Sequence, residues 1–148
     1  LAITRLIAVL AALVVCAGPV AAAAADAPVE LTVDGRPVGS ATVALQHNGV
    51  VFAEIGSLTR TFQGSLHAQG TSTSVHLPGG YAGTFTAGSA VMHYGGGAYT
   101  MKGAAFLHDG KLYVPLNAFV VKLARQRLFV DLSQTHANIL VSANPNDF

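Results

Sequence analysis

The sequence predicts an α+β protein, mainly antiparallel β-sheet, with two short amphipathic helices in two similar sheet-over-helix halves. Three observations predict it. Short runs of alternating apolar and polar residues are separated by Asp-Gly, Asn-Gly and Gly-Gly pairs, and two-residue hairpin turns need the positive φ such pairs supply. Two stretches carry apolar residues at helical spacing. The order turn, strand, helix then recurs at an offset of about 61 residues, His47 to His108.

In the first half, Val29-Glu30-Leu31-Thr32-Val33 alternates as a half-buried strand does, and Asp34-Gly35 turns the chain. The strand that follows is restricted by Pro37 near its start. Residues 40–46 read as extended, His47-Asn48-Gly49 as the next turn, and Val50-Val51-Phe52 as a strand running into a helix. Glu54 suits the positive end of that helix. Ile55, Leu58 and Phe62 share one helical face, and Gly64 is the expected left-handed stop. Residues 65–68 and 74–77 close the half around Gln69-Gly70-Thr71, before Pro78-Gly79-Gly80 punctuates the chain.

The second half repeats this order. Thr84-Phe85 and residues 90–94 are extended, Gly95-Gly96-Gly97 fills the turn held earlier by Asp34-Gly35, and residues 98–101 return as a strand. His108-Asp109-Gly110 leads into Leu112-Tyr113-Val114. Pro115 is expected at the first helical position, where its missing N–H costs nothing. Leu116, Phe119, Val120 and Leu123 form the buried stripe, with Lys122 and Arg125 near the negative end. Residues 128–132 and 139–141 close the half. Through the helix the alignment pairs Phe52 with Tyr113, Ile55 with Leu116, Leu58 with Phe119 and Phe62 with Leu123. The expected layout is one domain, residues 26–142, with repeat halves at about 29–78 and 81–142 and a disordered tail at 143–148.

The segment Asp109-Gly110-Lys111-Leu112-Tyr113-Val114-Pro115-Leu116, with Phe119, Leu123 and Phe129-Val130-Asp131, resembles the copper amine oxidase N-terminal-like module, or stalk domain. In that family a glycine turn leads to an apolar strand ending Val-Pro-Leu and then a short amphipathic helix. The family's helix-ending Gly is replaced here by Arg125-Gln126, its Trp by Val130, and the Val-Pro of the first copy by Ala53-Glu54. The resemblance implies an exported, non-enzymatic module common in bacterial cell-surface proteins. It implies no copper chemistry, because copper belongs to a different domain of the parent oxidases, and it transfers no site residues.

Residues 1–25 have the layout of a secretory signal peptide. Arg5 is the basic start, an apolar run follows, Gly18-Pro19 breaks it, and the alanines at 21–25 offer cleavage frames before Asp26. The alternative is an uncleaved membrane anchor, since the run approaches the ~20 residues a bilayer needs. The expected address is therefore secreted or periplasmic. Cys16, the one cysteine, is preceded by Val15, which does not suit an acylation signal. Without the leader no thiol remains, so disulfides, zinc-thiolate sites and a Cys nucleophile are excluded together. Without Arg5, seven Lys and Arg face seven Asp and Glu, and no basic run supports a nucleic-acid partner.

His47, His67, His76, His93, His108 and His136 contain neither an H-x-H nor an H-x₃-H pair, so no metal site is assigned. No G-x-S-x-G elbow or phosphate loop occurs, and the acids are too scattered for a carboxylate pair. No catalytic residue and no cofactor is assigned. The ligand surface proposed from sequence is Tyr81, Tyr94 and Tyr99, clustered beside glycines, where rings can stack on sugars or meet a protein; cross-strand packing is the competing role. The expected role is a cell-envelope or secreted binding or scaffold module, its partner an envelope protein or polysaccharide. The alternatives are a carbohydrate or peptidoglycan binder and a small secreted hydrolase. Open sheet edges also offer a route to a homodimer.

Overall fold

The computed structural model describes residues 26–39 and 43–142. The expected leader at 1–25, the tail at 143–148 and the start of the extended piece at 40–42 lie outside the described residues. The fold class follows the expectation: the chain is mostly strand, in two antiparallel-rich sheets, with few short helical segments.

Thirteen strands are present among the described residues. The larger sheet has the order β10 (Phe106–His108), β11 (Lys111–Pro115), β4 (Val50–Glu54), β3 (Ala44–His47), β1 (Ala27–Val33), β13 (His136–Leu140), β12 (Arg127–Asp131), with the short β2 (Arg36–Pro37) paired to β1. The smaller sheet runs β5 (Ser65–Gln69), β6 (Ser72–Leu77), β7 (Tyr81–Thr86), β8 (Val91–Tyr94), β9 (Gly97–Thr100). Four hairpin turns place both central residues at positive φ: Asp34-Gly35, Asn48-Gly49, Gly95-Gly96 and Asp109-Gly110. That backbone matches the right-handed twist of the flanking strands, which is why these pairs turn the chain so tightly.

The halves interlock. β1 runs antiparallel to β3 through Ala27 to Val29, then parallel to β13 through Glu30 to Val33. The opening hairpin of the first half thus completes the closing hairpin of the second. In the smaller sheet β7 stands between the closing hairpin β5–β6 and the opening hairpin β8–β9. β4 and β11 join the halves through an antiparallel ladder.

Helix α1 (Ile55–Thr61) starts directly from β4. Glu54 is its N-cap, and its carboxylate accepts the backbone N–H groups of Gly56 and Ser57, at 2.8 Å each. These are two of the donors that a helix start leaves without partners. The second helix, Ala118–Leu123, is a π-helix and not the α-helix the spacing predicts. Its wide turn shows in the bond from Ala124 N to Phe119 O, at 2.8 Å. The segment touches β11, β12 and β7 together. Ala118, Phe119 and Val120 are all buried in succession, broader burial than a single apolar stripe provides.

Two further expectations are corrected. Pro115 ends β11, opposite Phe52, and the helical turns begin after it. The left-handed residue after α1 is Gln63, at φ 56, and not Gly64. Gly64 is required for space: a Cβ there would lie 2.5 Å from the His76 carbonyl oxygen and 2.7 Å from Leu77.

The main core lies between the sheets and around both helices. Leu58, Val75, Phe85, Met92, Leu116, Phe119 and Ile139 are fully enclosed. Phe119 stacks on Phe85 at 6.2 Å and tilts against Phe62 at 6.0 Å. A second cluster, Leu45, Phe52 and Tyr113, packs with Val50 and Phe106. Among the described residues no helix is long and apolar enough to cross a membrane.

Candidate functional site: a tyrosine and cation cleft

The β8–β9 hairpin builds the site. The ladder between β7 and β8 stops at the Gly83–Tyr94 pair, so the Gly95-Gly96 turn extends past the end of the pairing. The opening beside it is a cleft of about 570 Å³, within the range of small-ligand sites. Tyr81 of β7, Tyr94 of β8 and the turn glycines line it, together with Lys122 and Arg125 from the second helix and its exit. A neighbouring cleft of about 600 Å³ shares the hairpin and adds His76 and His93.

Of the three tyrosines named from sequence, Tyr81 and Tyr94 line this cleft, while Tyr99 adjoins Tyr94 without lining it. Tyr94 meets Tyr99 edge to face, with centroids 6.3 Å apart. All three rings are half-buried and pack against the core, so the packing role and the surface role coexist. Gly83 makes room beneath them, since a Cβ there would press on Leu123 at 3.1 Å.

Two participants escaped the sequence reading, which used Lys122 and Arg125 only as helix-end charges. The Lys122 ammonium lies 5.1 Å from the Tyr99 ring centre, and the Arg125 guanidinium 5.2 Å from that of Tyr81. Such contacts contribute about 0.5–1 kcal/mol each at exposed positions. They hold two exposed cations in place over the rings. Arg125 does this from a left-handed backbone, φ 52, which favours glycine.

Comparison of the chain with family models, curated proteins and solved structures returns no match.

The histidines are dispersed. His47 Nδ1 lies 2.6 Å from Asp26, and its ring packs against Phe52 and Phe106. His108 stands edge-on to Tyr113. His67, His76 and His93 are exposed along the smaller sheet. Among the described residues, His, Cys, Asp and Glu nowhere gather in groups of three or more that could hold an ion.

One constellation has the order of a hydrolytic triad. Glu30 Oε2 lies 3.7 Å from His136 Nδ1, and His136 Nε2 lies 3.3 Å from Thr32 Oγ1. The hydroxyl is buried and donates to Asn138 Oδ1 at 2.7 Å. Asn138 Oδ1 also accepts Gly35 N–H at 3.1 Å. With its proton so committed and no open face, Thr32 ties β1 to β13, and the acid contact exceeds hydrogen-bond length.

Proposed function

We propose that this protein is a non-catalytic binding module of the cell envelope or the secreted space, of the stalk kind that the Val-Pro-Leu segment resembles. Its ligand surface is the cleft between Tyr81 and Tyr94. The observation that carries this reading is the convergence of aromatic rings and exposed cations on one cleft beside a bare glycine turn. Polar and aromatic groups that point into a concavity recognise ligands; catalysis would require a nucleophile and a base within reach of one another. The one acid–imidazole–hydroxyl chain described above instead spends its hydroxyl on a strand-to-strand tie. The signal-like leader supports the address, and an intact-mass measurement on the exported product tests it: the leader should be missing, and a product retaining Arg5 rejects cleavage.

Co-sedimentation with insoluble cell-wall material tests the ligand surface. The unaltered protein should pellet, and Tyr81→Ala or Tyr94→Ala should remain in solution while still folded. Equal pelleting of all three removes the cleft from the account.

A further inference from the structure

We infer that the Tyr81–Tyr94 cleft takes a polysaccharide bearing negative charge, with Lys122 and Arg125 recognising its anionic groups and Tyr94 lying against a sugar ring. This rests on the binding reading above and adds the ligand's charge.

Cations cover two of the three ring faces. Tyr99 carries Lys122 and Tyr81 carries Arg125, so these positions present a cation in place of a bare aromatic plane. Tyr94 lines the cleft, its ring forms a T-shaped pair with that of Tyr99, and among the described residues no cation lies over it. The result is one ring flanked by two positive groups. A neutral sugar would use the ring and leave the cations unanswered. A carboxylated or sulfated sugar engages both, and a guanidinium can grip a carboxylate with two parallel hydrogen bonds.

Nothing in the cleft neutralises that charge. Its lining contains no carboxylate, and among the described residues neither Lys122 nor Arg125 forms an ion pair. The sequence extends this over the whole smaller sheet, because residues 55–108 contain no Asp or Glu at all. Among the described residues the acids lie in or beside the segments that build the other sheet. A chain close to neutral overall therefore has one acid-free sheet, with two cations set beside it.

Backbone conformation points the same way. Arg125 occupies a left-handed position where glycine would be easier, and its guanidinium is thereby placed at the rim. The turn opposite consists of Gly95 and Gly96, around which a Cβ would meet nothing within 4 Å. A long polymer can pass such a bare edge. A nucleic acid fits less well, since two cations and one free ring fall short of the phosphate track and stacking series that single strands use.

Affinity electrophoresis of the full chain tests the assignment with sodium polygalacturonate, dextran sulfate, neutral dextran and single-stranded oligothymidine as probes. At least one of the two charged polysaccharides should retard the protein, and the carboxylate and sulfate arms tell which anion is preferred. Lys122→Gln and Arg125→Gln should each weaken that retardation about tenfold. Tyr94→Ala should weaken it too, and about 0.5 M NaCl should largely abolish it. Lys102→Gln, at an exposed lysine that lines a different cleft, should change nothing, and thermal melts confirm that each variant folds. Equal retardation by neutral dextran, unaffected by Lys122→Gln and Arg125→Gln, overturns the charge assignment and leaves the binding module standing. An equal loss in Lys102→Gln, or equal retardation by the oligonucleotide, reduces the effect to general charge attraction and overturns the site. Retardation by no glycan, with capture of an envelope protein through the same tyrosines, overturns the polysaccharide alone. No glycan retardation and no cell-wall sedimentation overturn both readings.

Discussion

Ala53 of β4 faces Val114 of β11, and the register around this pair reads the same from either strand. Phe52 opposes Pro115 on one side, and Glu54 opposes Tyr113 on the other. At an offset of 61, His47 to His108, Phe52 corresponds to Tyr113, Ala53 to Val114 and Glu54 to Pro115. The ladder therefore has a local two-fold axis through Ala53 and Val114. An edge-to-edge pairing of two copies of one unit gives this register. The aromatic contacts follow the same relation, with His47 edge-on to Phe52 and His108 edge-on to Tyr113.

Both residues on that axis are fully buried, so the junction should respond sharply to volume. Val114→Ala should cost about 2 kcal/mol, from lost transfer energy plus the space left behind. Ala53→Val should also destabilise, by about 1–3 kcal/mol, because a close-packed interior has no room for the added methyls. Urea unfolding of the two variants measures both, and a neutral Ala53→Val would mean that the junction is loose.

Turn chemistry was legible in the sequence because it is local. Asp34-Gly35, Asn48-Gly49, Gly95-Gly96 and Asp109-Gly110 each declare a positive-φ pair without reference to the rest of the fold. The buried stripes of both helices were legible for the same reason. The exchange of hairpins between halves was not, since pairing Glu30 with His136 is decided by which sheet edges remain free after folding. Pro115 read as a helix start by its own preference, yet the ladder with Phe52 claimed it for β11. The tyrosines are legible from their position beside the glycine-rich turns. The cations over them were missed because Lys122 and Arg125 reach Tyr99 and Tyr81 only through tertiary packing.

Gly56 offers a test in which the usual rule reverses sign. Gly→Ala inside a helix ordinarily stabilises by about 1 kcal/mol. Here a Cβ would lie 2.5 Å from Glu54 Oε1, the oxygen that caps the Gly56 N–H. Gly56→Ala should therefore displace the cap and destabilise, by up to the ~0.5–2 kcal/mol a lost N-cap costs. In the Glu54→Ala background the clash is gone, and the same substitution should become stabilising. A double-mutant cycle by urea unfolding reads this directly, and additivity would rule out the clash.

Tyr113 should govern stability at alkaline pH. Burial raises its pKa above the ordinary value of 10.0, and the nearby Glu54 and Asp109 carboxylates add to the rise. The fold thus favours the neutral phenol. Its contribution is fully present below the unfolded pKa and is lost as pH rises through the higher folded one. Absorbance titration should show a late tyrosine ionisation, and Tyr113→Phe should remove both that late step and its share of the alkaline loss of stability. A late limb that Tyr113→Phe leaves unchanged would contradict it.

The left-handed residues that follow the two helices separate backbone cost from ligand binding. Gln63 and Arg125 both sit there, at φ 56 and φ 52. Gln63 is exposed and forms no part of the cleft, so Gln63→Gly should relieve strain and stabilise by up to about 1 kcal/mol. Arg125→Gly gains the same relief but loses the contact over Tyr81, worth about 0.5–1 kcal/mol, and the two nearly cancel. Its melting temperature should therefore stay close to wild type while charged-polysaccharide retardation falls. Gln63→Gly should show the opposite pairing, a higher melt with unchanged retardation. If Arg125→Gly instead kept full retardation, the guanidinium would be serving the helix end alone.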